Sequence, residues 1–285
     1  MDVRTASEGV VRALLSEGGV RFGEGRSFRG LTLFPMFLSG GEAERDYLLF
    51  AEALQGGHVT VQELGEGVIS TLVVHNRGDQ AVLLVQGEQI LGLRQNRMVN
   101  STVLVGAGAR AEVPVACVEQ GRWRLAGSGE VCADNLYPRA RWLTAEAVTR
   151  SVRQRGARDA DQTALWREVA AKLTEVGARS STWAASEAYR SRGDELDEYV
   201  RALPPEPGQC GVACAFQGSV ACVDLFDNSG ALRALYARLV RSYALDALGA
   251  EDRCVPGSEL ESFLERARRA MVTCTRQWAR VRRCA

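Results

Sequence analysis

Between His58 and Val118 the chain repeats one pattern, a short β-branched run followed by a turn-forming cluster. His58-Val-Thr-Val-Gln-Glu-Leu64, Val68-Ile-Ser-Thr-Leu-Val-Val74 and Ala81-Val-Leu-Leu-Val85 are separated by Gly65-Glu-Gly67 and Asn76-Arg-Gly-Asp79. Thr102-Val-Leu-Val105, Gly106-Ala-Gly108 and Glu112-Val-Pro-Val-Ala-Cys-Val118 continue it. Runs this short cannot bury themselves as helices, and their branched side chains suit a pleated surface. Successive short antiparallel strands with little helix between them point to a sandwich or barrel-like sheet. Two earlier segments fit less regularly. Leu31-Thr-Leu-Phe-Pro-Met-Phe-Leu38 contains Pro35, which suits an edge strand rather than a central one. Tyr47–Leu54 reads as a helix ended by Gly56-Gly57.

From about residue 140 the period changes from two to that of a helix. Leu165, Trp166, Val169, Leu173 and Val176 share one stripe, and Gly177 follows as a stop. Asp194–Leu203 is a second helix, closed by Pro204-Pro205. Gly211–Phe216 and Ser219–Phe226 then form a hairpin about Gln217-Gly218. An amphipathic helix follows, with Leu232, Leu235, Tyr236, Leu239 and Tyr243 on one stripe. Asp227, Asn228 or Ser229 caps it, and Gly249 lies beyond its end. Ser258-Glu-Leu-Glu261 has the form of a capping box for a last helix carrying Leu260, Phe263, Leu264, Ala267 and Met271. The expected class is therefore α+β: an antiparallel β-rich half, residues 1–130, and a half of helices, hairpin and two amphipathic helices, residues 131–285. Pro204–Gly208 is the linker candidate, whether the halves are separate or share one core.

The 285 residues, 46% hydrophobic, are enough for one large core or two ordinary ones. Lys+Arg and Asp+Glu both total 35, a balance that argues against a dedicated nucleic-acid binder. Nearly all the positive charge is arginine; Lys172 is the single lysine. No stretch approaches the ~20 apolar residues of a membrane span. Met1–Gly9 lacks a basic region followed by a long apolar one, and Val10–Leu15 is too short to serve, so a cytoplasmic protein with reduced thiols is expected.

The densest polar segment is Gln86-Gly-Glu-Gln-Ile-Leu-Gly-Leu-Arg-Gln-Asn-Arg97. Gly87 and Gly92 bracket a carboxylate, Glu88, and Arg94, Gln95, Asn96 and Arg97 gather guanidinium and amide groups suited to phosphate or carboxylate. The competing reading is a turn whose polar groups face water. A second knot, Glu119-Gln-Gly-Arg-Trp123, follows a neighbouring strand. There Trp123 beside Arg122, both candidate ligand-binding residues, could stack on a base or ring, and Glu119 could act as acid, base or ribose-hydroxyl acceptor. Against this, a tryptophan so placed often only packs. The two knots are expected to converge, with Glu88 and Glu119 as a candidate acid–base pair.

Other chemistry is poorly supported by the residues. Cys210, Cys214 and Cys222 lack metal-ligand spacing, and His58 and His75 are the only histidines, so no metal is expected. About a Gln217-Gly218 turn, Cys214 should oppose Ala221 and Cys222 should oppose Ala213, putting the thiols on opposite faces. Cys117 would need a base such as His75 to act as a nucleophile. Phosphate loops, dinucleotide fingerprints, zinc-protease motifs and nucleophile elbows are absent from the sequence.

Three segments together carry a resemblance: Gly87–Arg97, Pro114–Trp123, and Val223-Asp-Leu-Phe226 with Leu239-Val-Arg-Ser-Tyr-Ala-Leu245. They resemble the bacterial ARG and rhodanese-phosphatase-superfamily-associated protein domain, ARG standing for ADP-ribosylglycohydrolase, over roughly residues 30–248. The resemblance implies company with an ADP-ribosylglycohydrolase or a phosphatase encoded nearby, and carries no catalytic residue. The ending differs from the family pattern of a further strand: Arg276–Ala285 reads as a basic, frayed tail. With the resemblance, the leading expectation is a ligand-binding or accessory protein linked to ADP-ribose or nucleotide processing. The alternatives are a hydrolase or transferase using Glu88 and Glu119, and a scaffold docking a partner enzyme.

Overall fold

The computed structural model describes residues 16, 18–65, 69–124, 126–127, 129–251 and 253–269. The opening segment, Met271 and the arginine-rich ending lie outside the described residues. The elements run β1 (Val20–Phe22), β2 (Arg26–Phe28), β3 (Leu31–Leu38), β4 (Tyr47–Leu49), α1 (Phe50–Gln55), β5 (Val59–Glu63) and β6 (Thr71–Asn76). Next come β7 (Ala81–Leu84), β8 (Glu88–Leu91), β9 (Arg97–Val99), β10 (Val103–Val105), β11 (Arg110–Cys117) and β12 (Glu130–Asn135). Helices α2 (Pro138–Arg155), α3 (Gln162–Glu175), α4 (Ser186–Ser191) and α5 (Gly193–Ala202) precede β13 (Gly211–Phe216) and β14 (Ser219–Leu225). Helices α6 (Ser229–Ala247) and α7 (Gly257–Arg269) close the described chain. The class is α+β, with antiparallel sheets and one curled into a half-barrel. Among the described residues no helix is long and apolar enough to cross a membrane.

The chain forms two compact units. One joins the described residues up to Arg45 with those from Asp194 onward; the other is Asp46–Gly193. These units divide elsewhere than at 130/131, a boundary that falls inside β12, because strands from both ends of the sequence pair in one sheet.

That first sheet has the order β1-β3-β13-β14, with β2 also on β3. Strand β3 is therefore central, contrary to the edge position expected from Pro35. β1 pairs with Met36–Leu38 and β2 with Leu31–Leu33, leaving Phe34 and Pro35 between them on that side. The Pro35 carbonyl points into this gap and accepts from Gly23 N at 2.9 Å. The N–H that proline lacks would face the same gap, because both groups of a strand residue point the same way. The ladder to β13 loses no donor. Glycines let the chain cross the gap: a Cβ on Gly23 would meet the Pro35 ring at 2.9 Å, and one on Gly25 the Phe34 ring at 2.6 Å.

The core on one face gathers Phe34, Met36, Ala213 and Ala215 with Leu260 and Leu264 of α7. Helix α6 contacts β3 and β13, with Leu232, Leu235, Tyr236, Leu239 and Tyr243 all buried as their stripe requires. Asn228 is its cap, accepting from Gly230 N and Ala231 N. Helix α7 begins at Gly257, so Ser258 lies inside its first turn instead of capping it.

In the second unit the six-stranded sheet has the order β12-β8-β9-β11-β6-β5, and a three-stranded one β10-β7-β4. The β4–β7 pair is parallel. Tyr47–Leu49 is thus a strand and only Phe50–Gln55 is helical, because the apolar run continues into the sheet before it turns. Val61, Leu72, Val74, Val82, Leu84, Val99, Val113 and Val115 share the core with Phe50. The Asn76–Asp79 turn has a specific clamp: buried Asn76 donates through Nδ2 to Gln80, Val105 and Gly106 carbonyls, and its Oδ1 accepts from Gly78 N.

Candidate functional site

Strand β11 brings the two polar knots together. Its residues Val115–Cys117 pair with Arg97–Val99 of β9, so Cys117 faces Arg97. The chain leaves β11 at Val118, whose N donates to the Asn96 carbonyl. Glu119 then bridges to Ala184 of the segment before α4. Gly121 N donates to Thr182 O at 2.8 Å, and a Cβ there would meet Thr182 Cα at 3.0 Å, so close approach requires the glycine.

Arg122 organises this loop. Its Nε donates to both Glu119 carboxylate oxygens at 3.0 Å, and one terminal nitrogen to Glu119 Oε2 at 2.7 Å. That nitrogen also donates to Gly92 O and Asn96 Oδ1, and the other to Leu93 O and Arg124 O. Glu119, 4% exposed, further accepts from Asn96 N. Burial pushes the Glu119 pKa up, but hydrogen bonds from Arg122, Asn96 N and Thr182 outweigh it and hold the carboxyl below its ordinary range. The pair is a saturated ionic clamp, with each charged group surrounded by partners.

Arg97 is deeper, 1% exposed, and differently placed. One terminal nitrogen donates to Gln95 Oε1 at 3.0 Å; the other lies 3.8 Å from Glu63 Oε2. Its Nε has no partner among the described residues. Gln95 passes the connection on by donating to the Glu119 carbonyl at 2.9 Å. Glu63 also accepts from Arg94 N, so β5 contributes a member of the network. No sequence pattern distinguished Glu63 or Gln162. Gln162 holds Cys117 by accepting from its N at 2.8 Å and donating to its carbonyl at 2.7 Å.

Glu119, Gln95, Asn96, Arg97 and Arg122 therefore share one hydrogen-bonded network. Glu88 stands in a different one. It is buried on β8 opposite Asn135 of β12, and its Oε2 accepts from Val85 N at 2.7 Å. Nearby Gly87 has φ +89° and lies so close to Arg141 that a Cβ would come within 2.4 Å of its Cδ. Arg94 is half-buried, and Trp123 is 57% exposed. Trp183, in the segment that receives the loop, is also exposed.

The Cys117–His75 arrangement is ruled out by register. His75 faces Arg110, at the other end of β11 from Cys117. Seven residues of strand separate them, roughly 23 Å. Burial also pushes the Cys117 thiol up to about 11, leaving it protonated at neutral pH. Lys172 is buried too, bonded to Glu175 Oε1 at 2.9 Å with its ammonium 5.2 Å from the centre of the Tyr137 ring. Among the described residues no group of three or more His, Cys, Asp or Glu is arranged to hold a metal.

The hairpin of β13 and β14 departs from its expected register. Gln217 and Gly218 both have positive φ, as a two-residue turn requires. Phe216 faces Ser219 and Ala215 faces Val220, but a bulge then shifts the ladder so that Cys214 faces Cys222. The thiols thus lie on the same face instead of opposite faces, because a bulge adds one residue to one strand only.

No curated protein and no solved structure matches this chain. One family does, over residues 19–283, nearly the whole sequence. Its name indicates association with ARG and rhodanese-phosphatase superfamily proteins. The chain belongs to the ARG and Rhodanese-Phosphatase-superfamily-associated Protein domain family.

Proposed function

We propose that the protein is a ligand-binding accessory protein working beside an ADP-ribosylglycohydrolase-like or phosphatase-like enzyme. Its ligand is nucleotide-like, with a ring stacked on Trp123 and a phosphate held by Arg94. The observation that carries this reading is Trp123 itself: a large, exposed aromatic beside a loop base that Arg122 ties down on every side. The loop backbone that carries it is tied down before binding, so little backbone freedom is lost, and base stacking contributes about 1–3 kcal/mol. Arg94 follows Leu93, whose carbonyl accepts from both Arg122 and Ala126 N, so its backbone is tied to the same loop.

Within this reading Arg97, Gln95, Asn96 and Arg122 support the loop and do not touch the ligand. The hydrolase alternative needs Glu119 to exchange a proton near neutral pH. A carboxylate held ionised by a bidentate guanidinium is poorly suited to that.

The test is titration of the protein with ADP-ribose, AMP and NAD, followed by tryptophan fluorescence and melting temperature. The expected result is a saturable quench and a rise in melting temperature that Trp123→Ala abolishes and Arg94→Ala weakens. A response that survives Trp123→Ala, or none with any of the three ligands, would overturn the reading.

A further inference from the structure

Among the described residues two thiols meet at one place, the β13–β14 hairpin. Cys214 and Cys222 are direct cross-strand partners with Sγ atoms 3.3 Å apart. Neither is in a disulfide; Cys214 is buried and Cys222 is half-exposed. Asp224 Oδ2 lies 3.9 Å from Cys222 Sγ, and the Tyr243 hydroxyl donates to the same oxygen at 2.6 Å. Helix α6 thereby fixes a proton acceptor beside the more accessible thiol.

The bulge creates this pair. With an unbroken ladder from the turn, Cys222 would face Ala213 and the thiols would point apart. Directly opposed residues of antiparallel strands have Cα atoms about 4.5–5.5 Å apart. A disulfide spans about 4.4–6.8 Å between Cα atoms, so side-chain rotation suffices to close the bond.

We propose that Cys214 and Cys222 form a redox-active dithiol, closed and reopened by exchange with low-molecular-weight disulfides and thiols. Cys222 gives its proton to Asp224 and its thiolate attacks one sulfur of the small disulfide. A bond forms between Cys222 and that sulfur, the small S–S bond breaks, and one small thiolate leaves. Cys214, as thiolate, then attacks the Cys222 sulfur and displaces the second small thiolate. The two cysteine protons end on the two departing thiols. The dithiol is oxidised by two electrons and the small disulfide is reduced; excess small thiol reverses both steps.

The full-length protein, exposed to glutathione disulfide, alkylated in denaturant and cleaved after arginine, provides the test. The peptide from Ala202 to Arg233 carries Cys210, Cys214 and Cys222 together. The expected result is loss of two hydrogens from this peptide, with Cys210 the only alkylated cysteine in it and full reversal by dithiothreitol. Cys210→Ser leaves that loss unchanged. Cys214→Ser replaces it with a lasting glutathione adduct on Cys222, since the resolving thiol is gone. The exposed Cys254 shows that the oxidant has acted. Modification of Cys254 while Cys214 and Cys222 stay alkylated overturns the proposal, as does a hydrogen loss that Cys210→Ser removes. Either outcome is read on the wild-type fold or beside it, so misfolding of one variant cannot hide it.

Discussion

The Glu119–Arg122 loop of the second unit, which leaves the end of β11, and the Cys214–Cys222 hairpin of the first both bring reactive side chains face to face. In the loop, each guanidinium nitrogen and both carboxylate oxygens are engaged, and Asn96, Leu93 and Gly92 complete the set. In the hairpin, two thiols stand 3.3 Å apart with a carboxylate 3.9 Å from one of them, and no disulfide joins them. Opposite charges satisfy one another where they stand and lose their chemistry in doing so. Two thiols in contact satisfy little, since S–H is a weak donor and sulfur a weak acceptor, so their chemistry remains available. Proximity of polar groups is thus a poor guide to reactivity until their mutual saturation is counted.

The contrast can be broken most forcefully at Arg122. Replacing Arg122 with Ala leaves Glu119 buried without its counter-charge and frees the carbonyls of Gly92 and Leu93. A loss of about 3–5 kcal/mol in urea unfolding is expected; a loss below about 1 kcal/mol would mean the clamp is not structural.

Glu119→Gln sharpens the same point through pH. The folded-state pKa of Glu119 lies below its unfolded value, so its contribution is fully present above the ordinary carboxylate range. It is lost as pH falls through that range toward the folded pKa. Wild-type stability should therefore fall more steeply on acidification than that of the Gln variant, whose unfolding free energy at neutral pH is lower by about 1–3 kcal/mol. Parallel curves would show that Glu119 carries no folding-linked proton.

In the hairpin, Cys214→Ala removes one buried sulfur whose partner makes no strong bond to it. A cost of about 1 kcal/mol is expected, measured in reducing buffer; a cost like that of Arg122→Ala would show the thiol contact to be structural. The smallest effect belongs to Trp123→Ala. As an exposed side chain it should change stability by no more than about 0.5 kcal/mol while removing the nucleotide response, and a larger loss would place Trp123 in the frame.

Much of the framework could be read from patterns. The β-branched runs after His58, the stripe Leu232–Tyr243, the stop at Gly177 and the turn at Gln217-Gly218 all rest on local geometry, which neighbouring residues specify. The structure departs from these local patterns where a distant segment intervenes. Pro35 looked like an edge signal because nothing local announces that two separate short strands leave a gap opposite it. Tyr47–Leu49 joined a sheet because β7 lies parallel to it. The bulge that aligns Cys214 with Cys222 adds one residue to a ladder whose turn does lie at Gln217-Gly218.

For the candidate site the same division holds. The sequence by itself determined that Arg94–Arg97 and Glu119–Trp123 would lie at the ends of neighbouring strands, since strand length and turn residues are local properties. It also determined membership of the family, through motifs spread along the chain. Only the tertiary structure decided which polar groups would answer one another. Arg122 turned inward to Glu119, Glu63 came from β5 to meet Arg97, and Glu88 went to a separate network opposite Asn135. The physical reason is that hydrogen bonds and ion pairs act over a few ångströms between residues far apart in sequence. Their partners are fixed by sheet register and side-chain direction, which no single segment specifies.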